Sequence, residues 1–138
     1  MPTRSVFEYA VIRVVPLVER GEFINAGVVL MCRSRRFLDA RIELDTARLA
    51  SLAPGVDVDA IAEQLDYVAR ACRGGAGAGP IGELPLYERF RWVTAPRSTI
   101  VQPSPVHSGL CDDPRTTLER LLTTLVRQPE RVLEAGLR

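Results

Sequence analysis

Val28-Val29-Leu30-Met31-Cys32-Arg33-Ser34-Arg35-Arg36-Phe37-Leu38-Asp39-Ala40-Arg41-Ile42-Glu43-Leu44 is the stretch whose reading decides the fold. Val28 to Cys32 is apolar at every position, which marks a central strand. Arg33-Ser34-Arg35 reads as a tight turn. Arg36 to Leu44 then alternates: Phe37, Asp39, Arg41 and Glu43 share one face of a strand, and Leu38, Ala40, Ile42 and Leu44 the other. A β-hairpin from Val28 to Leu44 is therefore predicted.

Upstream, Val6 to Val15 is rich in β-branched and aromatic residues and is stopped by Pro16, so it reads as a first strand. Arg13 inside that run needs a partner or an edge position. Downstream, Asp45 to Ala53 reads as a short helix ended by Pro54-Gly55. Val58, Ile61, Ala62, Leu65, Val68, Ala69 and Cys72 then form one apolar stripe at helical spacing. Asp57 suits the N-cap of this helix and Gly74 its end.

Gly74 to Pro80 holds four glycines in seven residues and is expected to be a flexible connection. Leu84 to Tyr87 reads as a helical turn, and Arg89 to Thr94 and Ser98 to Gln102 as two further strands. Gln102 to Gly109 is too rich in proline for regular structure. Asp113-Pro114 opens a last helix, with Leu118, Leu121, Leu122, Leu125 and Val126 as its buried face. Gln128-Pro129 ends that helix, and a short helical tail follows. The expected architecture is a single α+β domain over residues 1–138, with an antiparallel sheet of four to five strands. The helices Asp57 to Arg73 and Asp113 to Arg127 are expected on one face of it.

Composition narrows the chemistry. The chain has 138 residues, 46% apolar and 25% charged, as a globular domain should. All 18 basic residues are Arg, against 17 acidic ones. Without Lys, Schiff-base catalysis and the phosphate-loop Lys are excluded. A net charge of +1 leaves little for counterion release, so binding of nucleic acid is not expected. Cys32, Cys72 and Cys111 are odd in number and widely spaced, as reduced and mostly buried thiols would be. The longest uncharged apolar run, Ala26 to Cys32, is far shorter than the ~20 residues that span a bilayer. Met1 to Ser5 lacks an apolar leader. The expected location is the cytoplasm, with no membrane contact.

Tyr9-Ala10-Val11-Ile12-Arg13-Val14-Val15-Pro16 and Glu22-Phe23-Ile24-Asn25-Ala26-Gly27-Val28-Val29-Leu30 resemble a bacterial family known as domain of unknown function 3037. Phe37-Leu38-Asp39-Ala40-Arg41 and the run from Ala95 to His107 are similar to the same family, so the resemblance covers nearly the whole chain. It implies a bacterial origin and an association with HipA-like kinases, which are often encoded nearby. It implies no mechanism.

Glu22-Phe23-x-Asn25-x-Gly27 is the most distinctive segment. It reads either as a carboxylate and an amide offered to a polar ligand, or as a structural turn. In the second case Phe23 packs inward, Asn25 satisfies backbone groups and Gly27 supplies an unusual dihedral. His107, the single histidine, lies near Ser104, Ser108, Cys111 and Asp112, but only proximity in sequence supports a catalytic triad. His107 and Cys111 supply two ligands where a metal site needs three or four, so neither metal nor cofactor is expected. Arg33, Arg35, Arg36 and Arg41 in the hairpin read as a solvated turn rather than a phosphate-binding face. Arg89, Arg91, Trp92 and Arg97 form an arginine–aromatic group of the kind found at protein interfaces.

The segments Glu22–Gly27 and Arg97–His107 are expected to meet at one end of the sheet. There Glu22 offers acceptors and Arg97 a donor fork, while Asn25, Gln102 and His107 can do either. The leading functional expectation is a non-catalytic accessory or protein-binding module acting with another protein, a HipA-like kinase being the one the resemblance implies. The alternative is a small hydrolase-like or nuclease-like enzyme using Glu22, Asn25 and His107.

Overall fold

In the computed structural model, which describes residues 4–129, the hairpin forms as expected. β1 (Ser5–Val14) pairs with β2 (Ile24–Cys32), and β2 with β3 (Phe37–Ile42), all antiparallel. Arg33–Arg35 is a single 3-10 turn, closed by Arg36 in the left-handed region. β2 starts four residues earlier than the apolar run, at Ile24. A register shift between Ile12 and Arg13 leaves Ala26 as an extra residue, so Ile12 faces Gly27 and Arg13 faces Asn25.

The other edge of β1 carries two short strands end to end, β4 (Val101–Pro103) and β5 (His107–Cys111). The expectation of irregular chain from Gln102 to Gly109 is corrected here. Pro105 has no N–H to give, yet only a short break results, because Ser104 bridges it. Its N–H donates to the Val11 carbonyl and its Oγ accepts from the Val11 N–H, both at 2.8 Å. The sheet is thus five-stranded, in the order β3-β2-β1 with β4 and β5 beyond.

α1 (Thr46–Leu52) and α2 (Val58–Arg73) follow β3, and the Asp57 carboxylate caps α2 by accepting from the Ala60 N–H at 3.1 Å. Gly74 to Pro80 is not a flexible connection. Ala76–Glu83 is 3-10 helical on both sides of a kink at Gly79 and packs on α2. The Tyr67 hydroxyl donates to the Ala78 carbonyl at 2.9 Å, and the Gly75 N–H to the Gly82 carbonyl at 2.9 Å. A Cβ on Gly82 would sit 2.0 Å from the Gly75 oxygen, so only glycine permits that approach.

Arg89 to Thr94 is helical rather than extended: α3 spans Leu86–Thr94. The alternation of Arg and aromatic residues imitates a strand over four positions. Phe90 and Val93 nonetheless face the core together, and the Arg89 guanidinium donates to the Ala71 and Cys72 carbonyls at the end of α2. A cation on those last carbonyls also complements the helix dipole. α4 (Pro114–Leu125) opens with Pro114 in its first turn, as expected, though the Asp113 carboxylate takes the Thr116 hydroxyl rather than a backbone N–H. The expected helical tail after Pro129 lies outside the described residues.

The two long helices do not share a face. Ile61, Leu65, Val68 and Cys72 of α2 pack with Ile12, Val14, Val29 and Met31, together with Phe90 and Val93 of α3. Leu118, Leu121 and Leu122 of α4 pack with Phe7, Val28, Leu30 and Cys32 on the opposite side. Alternate residues of β2 supply the two cores, so the sheet is a middle layer. The three cysteines are free and buried, and burial pushes the Cys72 thiol up to about 12. Among the described residues no helix is long and apolar enough to cross a membrane.

Candidate functional site

β1, β2 and β4 set Asn25, Arg13 and Gln102 side by side across three strands, on the sheet face that carries α4. The Asn25 amide donates to the Leu125 carbonyl at 2.9 Å and so ties the strand to the end of α4. Its Oδ1 and the Arg13 Nε are buried without a hydrogen-bond partner among the described residues. The Arg13 guanidinium lies over the Phe23 ring at 4.3 Å, and Phe23 is 44% exposed rather than packed inward. Gln102 donates to the Thr99 carbonyl at 2.7 Å.

His107 is paired with Tyr9, four residues along β1 from Arg13, which is about 13 Å at the rise of a strand. It is exposed, its ring 5.4 Å from that of Tyr9. Glu22 precedes β2, exposed, and pairs with Arg20 at 2.7 Å. That hydrogen bond first, and the charge of Arg20 second, hold its carboxyl below the usual range. Asn25 and Gln102 thus flank one residue, while Glu22 and His107 stand apart from each other. Gly27 has ordinary backbone dihedrals, and its role is clearance. A Cβ there would lie 2.6 Å from Ile42 Cδ1 and 2.7 Å from the Arg41 carbonyl oxygen.

Arg97 belongs elsewhere. It leads the loop from α3 into β4, on the α2 side of the sheet, and borders a groove of about 420 Å³. Ala60, Glu63, Gln64, Tyr67 and Val68 of α2 form one wall, and Trp92, Thr99 and Val101 stand opposite. The Trp92 and Tyr67 rings meet edge to face, 5.9 Å apart at 76°. Arg97 lies over Trp92 at 5.0 Å, its Nε donating to the Ala95 carbonyl and one terminal nitrogen to the Trp92 carbonyl at 2.6 Å. Arg70, at the rim, pairs with Asp66 at 3.1 Å and lies over Tyr67 at 5.3 Å. Arg97 has no carboxylate within 4 Å among the described residues. Its guanidinium is thus locked in place by carbonyls and an indole, with its charge uncompensated.

Sequence reasoning named Arg97 and Trp92 but missed the α2 wall. A signal existed: Ala60, Gln64 and Tyr67 follow one another at helical spacing, along the flank of the core stripe. Three of the four hairpin arginines have partners within the fold. Arg33 lies over Tyr87 at 4.4 Å, Arg35 donates to Ser5, and Arg41 pairs with Glu119. Among the described residues no three His, Cys, Asp or Glu side chains stand close enough to hold a metal ion.

A five-stranded antiparallel sheet between α2 and α4 makes this an α+β protein, with an aromatic groove on the α2 side. The chain belongs to the family described as protein of unknown function (DUF3037), whose sequence model matches residues 9–126. No curated protein and no solved structure matches it.

Proposed function

We propose that the chain is a non-catalytic protein-binding module that receives its partner in the groove between α2, α3 and the loop carrying Arg97. The observation that carries this reading is the Tyr67–Trp92–Arg97 cluster: two rings and a fixed guanidinium around an open groove. Trp, Tyr and Arg are the residues on which binding energy concentrates at interfaces, since each covers much area at little entropic cost once held. The enzymatic alternative lacks this support. Glu22 is engaged by Arg20, Asn25 donates to the Leu125 carbonyl, and the His107 ring lies against that of Tyr9, so the three candidate residues are each held by other partners.

The partner to test first is a HipA-like kinase, which the family resemblance implies, in a bacterial cytoplasm. The tagged chain is expressed in its native cells and captured, and the retained proteins are compared with those held by Trp92→Ala. A Glu22→Ala chain serves as the surface control. The reading requires a partner kept by wild type and by the control but lost with Trp92→Ala. A partner held equally by all three chains overturns it.

A further inference from the structure

We propose that the groove recognises an acidic side chain set beside an apolar one, in an extended segment of the partner. This deepens the protein-binding reading and rests on it. Three features of the lining point to that chemistry.

The first is the charge of Arg97. A guanidinium offers five N–H donors, and among the described residues only two of its nitrogens have acceptors, the Ala95 and Trp92 carbonyls. Stacking on Trp92 has already removed most of the side chain's freedom, so little ordering cost remains for a carboxylate that meets it. Arg70, on the same rim, is by contrast neutralised by Asp66. The second is the apolar floor of Trp92, Tyr67, Val68 and Val101, which a bare carboxylate leaves unfilled.

The third is Glu63, exposed on the α2 wall with no cation paired to it among the described residues, and Gln64 beside it. A small organic acid would meet Glu63 as a like charge. An extended peptide brings backbone N–H groups that Glu63 and Gln64 can accept from, while its acidic side chain reaches Arg97. A peptide segment therefore satisfies the whole lining, and a free acid only part of it.

Trp92 is the single tryptophan of the chain, so its emission reports this groove and nothing else. The full chain is titrated with acetylated, amidated Gly-Ser-Leu-Glu-Leu-Ser-Gly and with the same peptide carrying Gln for Glu. The expected result is a saturable shift with the Glu peptide, roughly tenfold weaker binding of the Gln peptide, and loss of that difference in high salt. Arg97→Gln should bind both peptides alike.

Because Arg97 also braces Trp92, Glu63→Gln provides the second variant. It lies on an exposed helix turn, keeps an acceptor and removes the like charge, so it should bind the Glu peptide a few-fold tighter. Equal affinity for the two peptides, or no saturable change with either, overturns the inference. If Trp92→Ala still loses the captured partner in that event, the protein-binding reading stands and only the acidic segment falls.

Discussion

Leu65→Ala removes a wholly enclosed side chain from the middle of α2, where it packs with Ile61 and Val68 against the sheet. Emptying such a site costs about 2–5 kcal/mol, the spread reflecting how far the surroundings collapse into the cavity. Collapse is restricted here. The Asp57 carboxylate holds the start of α2, and the Arg89 guanidinium its last carbonyls. The upper part of that range, about 3–5 kcal/mol, is therefore expected. With a urea dependence of roughly 2 kcal/mol per molar, the midpoint should fall by about 1.5–2.5 M. The assay is equilibrium unfolding followed by far-ultraviolet circular dichroism. Leu110→Ala is the companion, since Leu110 is 58% exposed and should shift the midpoint by no more than about 0.25 M. If Leu65→Ala moves the midpoint no further than Leu110→Ala does, α2 does not form the core of this face.

Gly27→Ala places a methyl group against Ile42 and the Arg41 carbonyl of the adjoining strand, so it should cost about 1–3 kcal/mol. An unchanged thermal midpoint would show that β2 and β3 are not so closely apposed. A hydrogen bond from Arg127 holds the Glu43 carboxyl below the usual range. A lowered folded value means that the contribution is complete at neutral pH and is lost as pH falls below about 4.3, the unfolded value. The thermal midpoint of Glu43→Gln should accordingly fall less steeply than that of wild type from about pH 5 to pH 3, and parallel curves would contradict this. All three thiols are buried, Cys72 with its value at about 12, so Ellman's reagent should label them only after unfolding. Prompt labelling of one thiol in native buffer would refute that burial.

What could be read before the structure was whatever a local pattern determines. The hairpin and α2 are long enough for periodicity to separate strand from helix, and caps at Asp57 and Gly74 mark the ends of α2. α3 escaped because four alternating residues carry both periods equally well, and the choice was made by tertiary contacts of Phe90, Val93 and Arg89. The Gly74–Pro80 segment shows the other side of glycine, which permits tight packing as readily as freedom. Placing both helices on one face overlooked what Val28 to Cys32 already implied. A strand apolar at every position must be covered on both sides, and α4 supplies the second cover. As for the site, Arg97 and Trp92 stood out by residue type, but Tyr67 meets them through the α2–α3 packing, which no single segment encodes. The same packing separates Arg97 from Asn25 and Gln102, whose positions in the strands turn them to the face of α4.

The most direct test of the central claim is amide hydrogen exchange on the chain alone and on the chain bound to the partner it captures. If the partner sits in the Tyr67–Trp92–Arg97 groove, exchange should slow over residues 60–70 and 92–101 and stay as it was over α4. Protection confined to α4 or to β5, with residues 60–70 and 92–101 exchanging as in the free chain, would contradict the account.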